Sequence, residues 1–310
     1  MILASVKGRI MKHIVTLVRL GMIWFTPMCW ANADHALSLG MVQQTQNFTL
    51  NDEQLELRVR SPKVRYQLAT GPWLVMVSAS QGDNNRSHIS TNDPLRYQLY
   101  FEQTSESLYL DYNFEQSWIS IGYSQSSQQQ IYNANENGTR SASSSQADYR
   151  SFVIDAGYGW YFESSQLLAT FGVSQQTSDE QYQLLQISNH IQSSHDEITQ
   201  SGWLAHASIG YQHYFSINEQ WDLMLGSGLY HSRSIDGEAH ISQTSRTRLP
   251  GNRVLTSEES VLIDSDSNST SVIVQSGLIT NYGSVNISAD KLTDEDWQNA
   301  LIELSVSVFF

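Results

Sequence analysis

The last ten residues, LIELSVSVFF, constrain the fold more than any other stretch. Ile302, Leu304, Val306, Val308 and Phe310 fall on one side of an extended chain, and Leu301, Glu303, Ser305, Ser307 and Phe309 fall on the other. A helix would scatter both sets around its axis. Period two makes this a strand with one apolar face and one mixed face.

The pattern recurs upstream. Trp73, Val75 and Val77 alternate with Leu74, Met76 and Ser78. Leu108, Leu110, Tyr112 and Phe114 alternate with Tyr109, Asp111 and Asn113, and Ile119, Ile121 and Tyr123 with Ser120 and Gly122. Similar rows run through 152–162, 167–173, 203–215, 221–230, 272–278 and 285–289. These segments predict about ten strands, several of them longer than the five or six residues usual in a soluble sheet. Strands that cross a bilayer at a tilt need about 9 to 11 residues. The connections near 115–117, 163–166, 217–220 and 281–284 are short. Those at 82–106, 125–147, 175–200 and 234–270 are long and rich in Ser, Gln, Asn and Asp.

Short turns at one end and long loops at the other are the pattern of an outer-membrane barrel. Hydrocarbon offers no water to pair with a strand edge, so a spanning sheet closes on itself. The expected fold is therefore all-β, a closed antiparallel up-and-down transmembrane barrel of about ten strands, with eight or twelve as alternatives. Both termini in the periplasm require an even count. Apolar rows face lipid and the Ser, Gly, Asn, Asp, His and Glu rows face the lumen. Trp73, Tyr112, Phe114, Trp160, Phe162, Trp203, Phe215, Trp221 and Phe310 lie near strand ends, as interfacial girdles require. A secreted β-sandwich also alternates, but it explains neither the loop asymmetry nor the terminal Phe.

These features, over residues 71 to 310, resemble bacterial outer-membrane β-barrel proteins, with OmpA-like transmembrane barrels and autotransporter translocator barrels as the nearest types. The resemblance implies that Ile302, Leu304, Val306, Val308 and Phe310 form the C-terminal signal read by the barrel-assembly machinery. It also implies outer-membrane lipid as a partner. Residues 34 to 70 are too short for a passenger; QLELRVR and KVRYQLA alternate weakly, as an extra hairpin or a periplasmic lead segment.

The start of the chain agrees with export. Lys7, Arg9, Lys12 and Arg19 precede the apolar LGMIWFTPMCW, and Ala31 and Ala33 precede Asp34. This predicts a signal peptide over residues 1–33, cleaved near Ala33, because the uncharged stretch is shorter than the ~20 residues of a spanning helix. The single cysteine, Cys29, leaves with it, so disulfides, thiolate metal sites and Cys nucleophiles are not expected. Cleavage leaves 13 basic residues against 31 acidic ones, a balance that disfavours nucleic acid as a partner. The expected location is the bacterial outer membrane.

Chemistry is sparser. Asp111, Asp155, His206, Asp222 and Glu303 are the polar candidates for the lumen. A His with a carboxylate partner is able to act as a general base, but no GxSxG or HExxH motif accompanies His206, and a hydrogen-bonded lumen is the expected role. DSDSNSTS, 264–271, spaces Asp264, Asp266 and Asn268 like the start of a calcium loop, yet Ser269 stands where glycine belongs and Gln275 where a bidentate Glu belongs. His190, His195, His231 and His240 lack diagnostic metal spacing. No catalytic residue, metal or cofactor is expected. The reading is a structural or surface-interaction barrel whose long extracellular loops meet an outside ligand. An outer-membrane barrel enzyme and a narrow channel or transporter stand as alternatives.

Overall fold

The computed structural model describes residues 35–50, 53–89, 96–136, 139–188, 191–248, 254–264, 268–293 and 301–310. The expected signal peptide and the centre of the DSDSNSTS loop lie outside the described residues. Thirteen strands are described: β1 (His35–Leu50), β2 (Glu53–Thr70), β3 (Trp73–Ile89), β4 (Arg96–Phe114), β5 (Ser117–Glu136), β6 (Thr139–Tyr161), β7 (Ser165–Ile187), β8 (Ile191–Asn218), β9 (Trp221–Arg248), β10 (Val254–Asp264), β11 (Asn268–Thr280), β12 (Gly283–Leu292) and β13 (Leu301–Phe309).

Every described pairing is antiparallel, and β13 returns to β1 with Ala36 opposite Phe309 and Gln43 opposite Ile302. The seam is finished at its base by His35 N–H donating to the Phe310 carbonyl and Phe310 N–H to that of His35, each at 3.0 Å. Twelve strands close the ring, and β10 is an extra strand paired to the upper part of β9, above β11.

The count is thus the alternative twelve rather than ten, because residues 34–70 supply the extra hairpin, β1 and β2. Its alternation is hard to read because the inward face carries Lys63 and Arg65 between Ser61 and Gln67. Cations on a strand's hidden face look like solvent residues until their partner is known.

The long loops are also corrected. Residues 82–89, 96–106, 125–136, 139–147, 175–187 and 191–200, and most of 234–248, continue the spanning strands as paired hairpins. β8 and β9 each run 28 residues, about 90 Å at the usual rise. Beyond the belt the outward face meets water in place of hydrocarbon and carries polar residues, so the period-two apolar signal fades while the backbone ladder persists.

At the other end the turns are tight. Gly71 takes φ of 56° in the link from β2 to β3, a left-handed backbone that glycine adopts without steric cost. Glu115 adopts φ of 50° in the next turn, where a side chain costs more.

The outward face is an apolar belt. On β6, Phe152, Ile154, Tyr158 and Trp160 are exposed. The eight steps from Phe152 to Trp160 rise about 27 Å, which at a tilt of about 40° gives a height near 20 Å, within the ~25 Å band of such barrels. Leu37, Leu39, Val64, Val77, Leu108, Ile121, Phe171, Ile209, Leu225, Val285 and Val306 continue it around the ring.

Eight of the nine aromatics expected in two girdles sit at the turn end. Trp73 packs edge-on against Tyr112 at 4.6 Å and Tyr112 against Phe114 at 4.6 Å. At the upper edge Trp203 is joined by Tyr123 and Phe152.

One bulge has a packing consequence. Between the pairs Leu204–Ser234 and Trp203–Asp236, β9 carries the extra residue Ile235. Below it the even-numbered Met224, Tyr230 and Ser232 face in; above it the odd-numbered Ala239 and Ile241 do. The extra residue shifts the parity by one. Ile241 thereby packs against Ile198 and Ile263.

Candidate functional site: the polar lumen

Three of the five lumen candidates lie in one lateral row. The register carries Asp111 of β4 to Ser120 of β5, then to Asp155 of β6, Gly172 of β7, His206 of β8, Ser232 of β9 and Ser269 of β11. Ser120 Oγ donates to Asp111 Oδ1 at 2.5 Å, His206 Nε2 meets Asp155 Oδ1 at 2.5 Å, and Ser232 and Ser269 share a hydroxyl pair at 2.7 Å. The row pairs its polar groups sideways, from strand to strand, as a low-dielectric interior favours, and leaves His206 Nδ1 buried without a partner.

Gly172 makes the His206–Asp155 contact possible. A Cβ there would sit 2.0 Å from Asp155 Oδ1 and 2.7 Å from His206 Nε2, so the two side chains reach each other over β7 only because it presents bare backbone. The His206 ring also lies 5.9 Å from that of Tyr230. Tyr230, Leu204 and Ile273 form a buried apolar cluster beside the row.

Glu303 belongs to a second cluster, at the closing seam. Lys63 Nζ donates to its Oε2 at 2.9 Å and Arg65 Nη2 to its Oε1 at 3.3 Å, and all three side chains are less than a tenth exposed. The pairs cross over β1, where Gly40 stands in register with Lys63 and Ser38 with Arg65. Ser38 and Ser307 join by hydroxyls at 2.7 Å alongside. The cluster links the last strand to the second and is a lock on the register of closure.

Asp222 faces in near the turn end, opposite Ser216 and Ile279, away from both clusters. Sequence reasoning missed Lys63 and Arg65, although the alternation of KVRY places them opposite Val64 and Tyr66. An inward acid on β13 was the available signal that inward cations belonged beside it.

The histidines weighed for metal are dispersed. His195 Nε2 meets Glu197 at 3.1 Å, His231 meets Thr270 at 2.9 Å and His240 meets Ser260 at 2.9 Å; His190 lies outside the described residues. Among the described residues no three His, Cys, Asp or Glu side chains converge as a metal site would require.

The five C-terminal residues share the lipid face as the alternation requires. Leu304, Val306, Val308 and Phe310 are exposed there and Ile302 is half-buried. Phe310 stacks on His35 at 5.7 Å.

A closed antiparallel ring, an apolar belt of bilayer height and a polar lumen define the class: this is a bacterial outer-membrane β-barrel fold. Among solved structures, the chain is similar to the translocator domain of the autotransporter NalP from Neisseria meningitidis, with TM-score 0.60 and 11% identity over 99% of this chain and 96% of that one. It is similar as well to the β domain of the Bordetella autotransporter BrkA, with TM-score 0.52 and 8% identity over 90% of this chain and 100% of that one. The toluene transporter TbuX of Ralstonia pickettii aligns more loosely, with TM-score 0.43 and 8% identity over 90% of each. No family model and no curated protein matches the sequence.

Proposed function

We propose that the protein is an integral outer-membrane barrel with a closed lumen, whose tall strand wall stands outside the cell and serves surface contact. The observation that carries this reading is the sorting of side chains about one wall. Outside is a continuous apolar belt, and inside are packed side chains such as Gln212, Met224, Leu301 and Asp290, each no more than 1% exposed. Inward residues that reach so little water line a filled interior. The enzyme alternative draws on His206 and Asp155, which we read as lumen pairing, because a general base needs a reacting group within reach. The channel alternative needs an unobstructed bore.

On this reading residues 1–33 direct export and are removed, the turn end faces the periplasm, and outer-membrane lipid surrounds the belt. The residues Ile302, Leu304, Val306, Val308 and Phe310 engage the barrel-assembly machinery as the last strand enters the sheet. The deciding experiment is planar-bilayer recording on refolded protein beside a whole-cell protease shave. The expected result is no steady conductance, with cleavage confined to the tall end. A steady open channel would replace the reading by the transporter one. Deletion of Phe310 should lower the yield of heat-modifiable protein in outer membranes far more than Phe309→Ala, because an unclosed edge strands backbone groups in lipid at several kcal/mol each. Equal yields would remove the assembly role.

A further inference from the structure

Among the described residues, the wall above the membrane is not closed. At belt level β11, β12 and β13 stand between β9 and β1. Higher up no described residue continues these three strands, and on its side away from β8 the upper part of β9 pairs with β10. Beyond Gln43, β1 pairs only with β2 among the described residues. At about 4.8 Å per strand, the free edge of β10 and the free edge of β1 are separated by about 14 Å, room for two strands.

β10, VLTSEESVLID, is the unusual lip of this gap. Among the described residues its pairing is to β9 alone, and every residue from Val254 to Leu262 is exposed. Val254 and Leu262 lie on one face and Leu255 and Val261 on the other. Natural edge strands are blunted by charged side chains, Pro, bulges or covering segments; β10 contains no Lys, Pro or Gly and is paired without a bulge over its whole length, which leaves its acids as the guard. It does carry Glu258, Glu259 and Asp264 and no cation. The residues directly opposite the two glutamates on β9 are Thr244 and Gln243, so neither faces a cation straight across the ladder, while Arg246 stands diagonal to Glu258.

We infer that the free edge of β10 is a strand-addition site for an extended segment of a partner protein in which apolar residues alternate with Lys or Arg. Main-chain hydrogen bonds along the edge supply affinity, and the glutamates select the partner's charge. A second copy of this chain is disfavoured as occupant. Antiparallel pairing of two β10 strands near full overlap sets Glu258 and Glu259 against their counterparts, and like charges directly opposite destabilise a ladder.

The inference rests on the tall end being outside the cell, but its test uses purified protein refolded in detergent and checked by heat-modifiable mobility. The probe is a blocked, fluorescent eleven-residue peptide of alternating valine and lysine. Its control has three valines replaced by proline, which cannot pair along a ladder. The expected result is saturable binding that slows amide exchange across 254–264, is lost with the proline peptide, and weakens at least tenfold in Glu258→Lys/Glu259→Lys. Glu163→Lys/Glu219→Lys, the same charge change at the turn end, should bind as the parent does. Equal weakening in both variants, or binding without protection of β10, overturns the inference. So does a folded barrel that ignores the peptide, which leaves the envelope reading standing. A concentration-dependent dimer that protects β10 and excludes the peptide would also overturn it, by making a second copy the occupant.

Discussion

Replacing Glu303 by glutamine tests the seam cluster while changing almost no volume. In the native lumen one carboxylate faces two cations, Lys63 at 2.9 Å and Arg65 at 3.3 Å, and all three are nearly inaccessible. At an effective dielectric near 20 each contact is worth about 5 kcal/mol of Coulomb energy, most of it offset by the desolvation of the charges. Glu303→Gln leaves that desolvation cost in place and removes the compensating charge. Its neutral carbonyl can still accept one hydrogen bond. Losing one partner of a buried pair costs about 3–5 kcal/mol, and the expected loss here falls in that range. The assay is urea unfolding of the refolded protein in detergent, followed by tryptophan fluorescence and by gel mobility of the unboiled form. A second variant, Lys63→Met/Arg65→Met/Glu303→Leu, removes all three charges together and should recover to within about 2 kcal/mol of the parent, because no charge is then left buried alone. A loss below about 1 kcal/mol for Glu303→Gln would show that water reaches the cluster and that the lumen at this level is not filled.

Other expectations follow from the belt, the lateral row and the wall. Leu225→Arg, outward on β9 near mid-belt, should cost about 2–4 kcal/mol in the same assay, while an outward substitution beyond the belt such as Thr177→Arg should be nearly neutral; equal costs would misplace the bilayer. Gly172→Ala places a Cβ 2.0 Å from Asp155 Oδ1 and should cost about 1–3 kcal/mol through the broken contact and overpacking. Adding His206→Ala should then cost little more, whereas full additivity would deny that the glycine serves that pair. Burial holds the Glu180 carboxyl up near 7, with Tyr149 donating to it at 3.3 Å. A carboxyl raised on folding favours the folded wall below its ordinary value near 4.5, and that contribution is lost as pH rises through about 7. Protease nicking of the upper wall, in the β7–β8 hairpin that carries Glu180, should therefore quicken between pH 5.5 and 8. Glu180→Gln should flatten the dependence, and an unchanged profile would refute the assignment.

How legible each part was depends on what its two faces meet. The belt strands announced themselves because one face meets hydrocarbon and the other a polar interior, so Leu304 against Glu303 or Ile154 against Asp155 is a contrast of opposite chemistry at every step. The same contrast gave the inward row of Asp111, Asp155 and His206 as a by-product. The wall had no such contrast. In SQSSQQQIYN both faces of β5 are polar, so residues that pair in full register with β4 and β6 read as hydrated loop. The β1–β2 hairpin fell between these cases, since Val64 and Tyr66 mark an outer face while Lys63 and Arg65 look exposed.

What alternation cannot convey is which inward residues meet, because that depends on the lateral order and stagger of strands distant in sequence. Glu303 and Lys63 are 240 residues apart and become neighbours only when the first and last strands pair in one particular register. Closure therefore creates the cluster, and the cluster in turn distinguishes that closure from its slips. A two-residue slip keeps every apolar side chain facing lipid and so costs the belt almost nothing. A slip that carries Glu303 from its place opposite Val42 to one opposite Gln44 moves it about 7 Å further from the rows of Lys63 and Arg65 and takes the cations out of its reach, whereas the opposite slip sets it level with Lys63 at Gly40. The hydrophobic pattern thus decides which face is out, and the buried ions decide between registers that the pattern treats alike.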